Sequence, residues 1–176
     1  MGIIYFVRHG ETCADKQHRF NGGIDLDLNK AGVRQAQSAG EKLSSIEFDE
    51  IFCSPKKRTV QTCEILSRGQ SFKIDNRLSE IVCGRFDGQK KSLIRKLRFL
   101  GAFKKGKHGV EHIGDFTARN VDFCEYLLES MKDKTVLVIS HNGNASAFNY
   151  FFEGRPEKYN FAKHSIKNGE IIEFEY

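Results

Sequence analysis

The chain has 176 residues, 39% of them hydrophobic and 29% charged, with two prolines and a net charge of +5. That length suits a single domain over residues 1–176 with a sizeable core, and the composition excludes a disordered, collagen-like or low-complexity chain. No apolar stretch reaches the roughly 18 residues that a membrane-spanning helix needs, no leader pattern precedes Arg8, and five scattered cysteines without a C-x-x-C pair read as reduced thiols, so a cytoplasmic location is expected.

Gly2-Ile3-Ile4-Tyr5-Phe6-Val7 is an unbroken apolar run, β-branched and aromatic, and it predicts a strand over Ile3–Arg8 buried on both faces. It ends abruptly in Arg8-His9-Gly10. A cation and an imidazole suit the core badly, and in open α/β sheets the carboxyl ends of strands are where ligands gather. Arg8 and His9 are therefore the first candidates for chemistry. Residues 11–29 read as a long polar loop around Asn21-Gly22-Gly23. Ala31, Ala36, Ala39 and Leu43 predict a helix over residues 30–45. A short strand over 50–54 stops at Pro55, which fits the first turn of a helix over 56–67. A weak strand follows over 72–75, then a loop over 76–88 that carries Glu80.

Residues 89–107 hold eight cations and no acid, and without them the remaining chain is net negative. Leu93, Ile94, Leu97 and Leu100 repeat among those cations at helical spacing, which predicts a short amphipathic helix ended by Gly101 and Gly106. A clearer helix is expected over 116–131, with Asp115 as its N-cap. The second strongly apolar run, 135–139, ends in Ser140-His141-Asn142-Gly143, and a helix over 144–152 follows. Asn168-Gly169 predicts a type I′ hairpin turn, with Ile172, Phe174 and Tyr176 on one face of the last strand.

Strands separated by helices predict an α/β fold of three layers with a largely parallel central sheet. Parallel strands then bring Arg8-His9, the Ser54–Arg58 stretch and Ser140-His141 to one sheet edge. Two guanidiniums with two imidazoles suit a tetrahedral dianion, because arginine grips phosphate bidentately and stays charged. The arginines also bias His9 towards its neutral, nucleophilic form. Glycines beside the histidines are expected to let backbone N–H groups approach the anion. Glu80 is the best general-acid candidate for a leaving alcohol, with Glu11, Asp87 and Glu111 as rivals.

Arg8-His9-Gly10-Glu11-Thr12 resembles the signature of the histidine phosphatase superfamily, in its phosphoglycerate-mutase-like branch. The likeness continues in order through Phe20-Asn21-Gly22, Asp27-Leu28-Asn29-Lys30-Ala31-Gly32, Ser54-Pro55-Lys56-Lys57-Arg58-Thr59, Leu78-Ser79-Glu80 and Ser140-His141-Asn142-Gly143. The resemblance implies a phosphoglycerate-mutase-like fold with a small cap, about residues 84–114. It implies that His9 attacks phosphorus, that Arg8, Arg58 and His141 hold the phosphoryl oxygens, and that Glu80 protonates the leaving oxygen. Thr12, Asn21, Gly22 and Asn142 match substrate-binding positions. No metal and no cofactor are implied, and the expected partner is a small phosphorylated substrate, with no nucleic acid and no membrane.

Asp15 stands where the family usually carries an asparagine that touches phosphate; a carboxylate there repels a dianion unless it turns away or pairs with Lys16 or Arg19. Gly23 replaces a common aromatic, Cys83 replaces the tyrosine usual in mutases, and the chain is short for a glycolytic mutase. These departures favour a phosphatase, with a phosphotransferase or a non-catalytic anion-binding module as alternatives. His108-Gly109-Val110-Glu111-His112 formally matches H-x-x-E-H, but that zinc motif needs one continuous helix, which Gly106, Gly109 and Gly114 oppose. The basic segment reads as a solvated face, as a lid that steers an anionic substrate, or as a membrane or nucleic-acid surface. Its place after the Glu80 loop favours the lid.

Overall fold

The computed structural model describes residues 1–160 and 164–176. Its strands are β1 (Ile3–Arg8), β2 (Glu50–Cys53), β3 (Lys73–Ile74), β4 (Thr135–Ser140) and β5 (Ile171–Glu175). Its helices are α1 (Cys13–Lys16), α2 (Lys30–Lys42), α3 (Lys57–Ser67), α4 (Leu93–Lys105), α5 (Ile113–Ser130) and α6 (Asn142–Phe152), with single 3-10 turns at Asn76–Leu78 and Gly84–Phe86. The strands form one sheet in the order β3-β2-β4-β1-β5. Only β5 runs antiparallel.

Alternation along the two central strands separates the layers, as the period-two geometry of a strand requires. Ile4, Phe6, Val136 and Val138 face one side and pack with Phe123 and Leu127 of α5 and Phe148 of α6. Val7, Leu137 and Ile139 face the other side and pack with Ala36 and Ala39 of α2 and Cys63 and Leu66 of α3. β1 and β4 are thus covered on both faces, and each fully buried side chain of this size contributes about 1.5–3 kcal/mol relative to exposure. The chain adopts the three-layer α/β architecture expected from its pattern.

Four local expectations need correction. A one-turn helix, α1, interrupts the long loop: Thr12 caps it, and Thr12 and Asp15 exchange side-chain and backbone hydrogen bonds in a capping box. α5 begins three residues before the expected start, with His112 rather than Asp115 as its N-cap. α4 runs through Gly101 and ends at Gly106, whose φ of +58° gives the left-handed termination that glycine favours. The buried side of α4 is not the leucine stripe. Ala102 and Phe103, with Phe99, pack on Phe20, Phe86 and Phe116, while Leu93, Ile94, Leu97 and Leu100 are exposed.

The tail is a partner for β1, not a hairpin among the described residues. β5 pairs antiparallel with β1, from Ile3 opposite Glu175 to Val7 opposite Ile171. Gly169 takes a φ of +72° but Asn168 does not adopt positive φ, and the Glu170 N–H donates to the Lys167 carbonyl at 3.1 Å. That is the pattern of a type II turn, with glycine at its third position, and not type I′. Ile172, Phe174 and Tyr176 do share one face, against the α5/α6 side of the core.

Candidate active site

Three strand ends meet where the sheet order places them side by side. In register, Arg8 lies opposite Ser140 and Cys53 opposite Ile139. The ladder extends one step further: the His9 N–H donates to the Ser140 carbonyl, and the Ser54 N–H donates to the Ile139 carbonyl, each at 3.0 Å. His9, Ser54 and His141 therefore sit next to one another at one edge, and α3 begins three residues after Ser54. Its second residue, Arg58, is fully buried and donates from Nε to His9 Nε2 at 3.2 Å and from Nη1 to the Ile24 carbonyl at 2.9 Å.

The partners of His9 decide its tautomer. A guanidinium N–H can only donate, so Nε2 accepts and carries the lone pair, while Nδ1 carries the proton and donates to the Gly10 carbonyl at 2.7 Å. The His9 and His141 rings meet edge to face with centroids 5.1 Å apart. The Ser54 hydroxyl meets His141 Nε2 at 2.8 Å. Arg8 Nε, Arg58 Nη2 and His141 Nδ1 are buried without an acceptor or donor partner among the described residues. Each such group costs about 1–3 kcal/mol when left unpaired, a cost that a bound oxyanion would offset.

Burial lowers the His9 pKa to about 3, and the Arg58 and Arg8 charges add to the effect. His141 is also held well below its ordinary value, by burial first and then by Arg58, His9 and Arg8. Both rings are neutral in the folded chain near neutral pH, whereas the unfolded chain protonates them below about pH 6.5. Stability is therefore expected to fall as pH drops from about 6.5 towards 3, by up to ~1.4 kcal/mol per pH unit for each histidine. Denaturant midpoints measured across that range check this, and His9→Asn should remove one of the two contributions. A flat profile between pH 7 and 5 contradicts it.

Asp15 pairs with neither Lys16 nor Arg19. It accepts from Arg8 Nη2 at 3.3 Å, from the Thr12 hydroxyl at 2.7 Å and from the Thr12 N–H at 3.0 Å. Burial pushes its pKa up, but the Thr12 hydrogen bonds and the Arg8 charge outweigh this and hold it below the ordinary value. The carboxylate is thus engaged within the capping box and by Arg8. Arg8 also donates from Nη1 to the Ile166 carbonyl at 2.6 Å, which ties it to the C-terminal segment.

The Gly10 N–H is not available to an anion either. It donates to Thr62 Oγ1 at 3.1 Å, and the glycine is needed for packing: a Cβ there would lie 2.3 Å from the Gly32 carbonyl oxygen of α2. Gly143 does face the site. Its added Cβ would lie 2.5 Å from Glu80 Oε1, so absence of a side chain lets the acid approach the amino end of α6. The first N–H groups of a helix have no acceptor within it and carry the positive end of its dipole. Asn142 and Gly143 bring those groups to the site.

A cavity of about 490 Å³ opens over the cluster, lined by Arg8, His9, Asn21, Gly22, Glu80, Asn142 and Gly143 on the catalytic side. Phe20, Ile81, Phe99 and Leu100 supply apolar wall, with Lys91 and Lys96. Arg58 and His141 are fully buried and do not line this cavity, and Thr12 is buried, its hydroxyl within 3.3 Å of Asn21 Nδ2. Asn142 also accepts from the Ile166 N–H and the Ser165 hydroxyl. Among the carboxylates proposed for the acid, Glu80 alone lines this cavity. Glu11 accepts from Asn29, Asp87 from the Gly23 N–H, and Glu111 is paired bidentately with Arg119 at 2.8 and 3.0 Å. His112 Nδ1 accepts from the Gly114 N–H, so His112 and Glu111 of the H-x-x-E-H stretch have other partners.

Arg119 is the residue that the sequence concealed. From α5 it donates to the carbonyls of Arg77, Ser79 and Glu80 at 2.5, 2.6 and 3.3 Å, and so holds the loop that bears the acid. A lone arginine on an amphipathic helix carries no sequence signal of that role.

The profile of the histidine phosphatase superfamily, branch 1, matches residues 4–176. The chain belongs to that superfamily. An acid phosphatase of Mycobacterium tuberculosis is 28% identical over 142 residues, covering 78% of this chain and 69% of that protein. Bacillus stearothermophilus YhfR shares the fold at a TM-score of 0.84 and 23% identity, over 99% of this chain and 91% of that one. The α-ribazole phosphatase of Shigella flexneri does so at a TM-score of 0.82 and 22% identity, over 97% and 89%. The phosphoglycerate-mutase-like architecture expected from the motifs is the fold of these neighbours, and family and relatives together make the chain a phosphatase of this superfamily.

Proposed function

We propose that this phosphatase is a metal-independent phosphomonoesterase that hydrolyses a small phosphorylated metabolite through a phosphohistidine at His9. One observation carries the reading: His9 is a neutral, anchored ring whose Nε2 lone pair is held by the Arg58 Nε–H until phosphorus takes that place, among buried guanidinium groups with unpaired N–H donors. In the first step Nε2 attacks phosphorus, the ester P–O bond breaks, and the leaving oxygen takes a proton from Glu80. In the second step Glu80 takes a proton from water as that water attacks phosphorus, releasing phosphate and restoring His9. Arg8, Arg58, His141 and the amino end of α6 stabilise the charge that develops on the phosphoryl oxygens. Asn21, Gly22 and Asn142 bear on the substrate from the cavity wall, and the segment over residues 84–114 acts as the cap.

The test is hydrolysis of an aryl phosphate with and without a chelator, the reading predicting equal rates. Product analysis with added alcohols checks water as the acceptor; transfer to an alcohol in preference to water favours the phosphotransferase alternative. Glu80→Gln separates acid catalysis from other roles. An alkyl phosphate needs its leaving oxygen protonated, so its rate is expected to fall by about 10²–10⁴-fold. On nitrophenyl phosphate, with a good leaving group, kcat/KM, which reports transfer to His9 and not the later attack of water, should fall less than about tenfold. Equal losses on both substrates would mean that another group supplies the proton.

A further inference from the structure

α4 carries two apolar faces, and only one of them is used. Phe99, Ala102 and Phe103 pack inward, while Leu93, Ile94 and Leu97 on the opposite side are 74, 63 and 61% exposed. At 100° per residue, Leu93, Leu97 and Leu100 fall within about 60° of one another, with Ile94 beside them, Lys96 at one margin, Arg98 and Lys105 at the other, and Lys104 on the same line one turn beyond Leu100. All eight cations of residues 89–107 are exposed. None of them pairs with a carboxylate among the described residues.

An outward apolar stripe flanked and followed by cations without carboxylate partners is the pattern of a helix that lies in a lipid–water interface. Apolar side chains enter the acyl boundary there, and lysines and arginines meet anionic headgroups. A second copy of the chain does not match this charge, since pairing α4 with itself sets eight cations against eight. Nucleic acid would meet the cations but gives Leu93, Ile94 and Leu97 nothing to bury into. We propose that α4 docks this phosphatase on the surface of an anionic lipid bilayer. No membrane is expected from the sequence reading; the outward stripe is what changes that. Leu100 belongs both to the stripe and to the wall of the catalytic cavity, so docking brings the mouth of the site to the lipid surface.

The test is co-sedimentation of the full chain with vesicles of phosphatidylglycerol and phosphatidylcholine, compared with phosphatidylcholine alone. Binding to the anionic vesicles is expected to be at least about tenfold tighter, and to weaken with salt. The double variant Leu93→Gln, Leu97→Gln keeps the net charge and lies outside the catalytic cavity. It should bind anionic vesicles at least about tenfold more weakly while keeping its circular dichroism spectrum and its thermal unfolding midpoint. Binding unchanged in that variant shows charge adhesion alone and overturns the proposal, as does no binding to anionic vesicles at low salt. A wild-type dimer in sedimentation velocity that the double variant dissociates assigns the stripe to a second copy and overturns it as well.

Discussion

His9→Ala is expected to reduce turnover of phosphomonoesters by about 10⁴-fold or more, since in the proposed mechanism it deletes the atom that receives the phosphoryl group. The size of the loss follows from how little else in the site can replace it. His141 packs against His9, but its Nε2 is engaged by Ser54 and its ring is fully buried and does not line the cavity. The four cysteines other than Cys13 are buried, and burial pushes the Cys83 thiol beside the cavity up to about 12. No other nucleophile is ready at neutral pH among the side chains that line the cavity. Steady-state kinetics on an aryl phosphate check this, with circular dichroism to confirm the fold. Residual activity above a few per cent of wild type would assign attack to another group.

The second large effect is expected at Arg58. Arg58→Lys should lower kcat/KM by about 10²–10³-fold although the charge is kept. The guanidinium works as a fork: Nε reaches His9, Nη1 reaches the Ile24 carbonyl, and Nη2 is left free for an oxyanion. An ammonium is a point charge with no such planar spread, and it cannot hold the Ile24 loop and face His9 together. Arg58→Gln, which removes the charge, should in addition raise the His9 pKa, since the Arg58 charge contributes to its depression after burial. The acid limb of kcat/KM should then move to higher pH, because a larger fraction of His9 is protonated at any given acidic pH. A lysine variant within threefold of wild type, or a glutamine variant with an unmoved acid limb, would contradict this role.

Much of the architecture was legible because β1 and β4 are buried on both faces, and such strands read as continuous apolar runs. Parallel neighbours then brought Arg8-His9, Ser54 and Ser140-His141 together without reference to any relative. Smaller features failed for identifiable reasons. Periodicity on α4 could not say which of two apolar stripes faces the core, because aromatic residues and leucines satisfy the same spacing. Asp15 was read as a charge that must turn away or pair with Lys16 or Arg19, when the T-x-x-D spacing already announced a helix cap. Gly10 looked like a phosphate contact, whereas its N–H serves Thr62 and its bareness serves the approach of α2. The Arg119 clamp joins residues about forty positions apart, and nothing in either local sequence marks it.

The most direct measurement is to mix enzyme with substrate, quench rapidly under alkaline conditions and locate any protein-bound phosphoryl group by mass spectrometry. The account predicts a phosphoryl group on His9 that survives alkali, is lost in acid and accumulates further in Glu80→Gln with an activated aryl phosphate. Product formation with no phosphorylated histidine at any quench time, or a label on another residue, would contradict it.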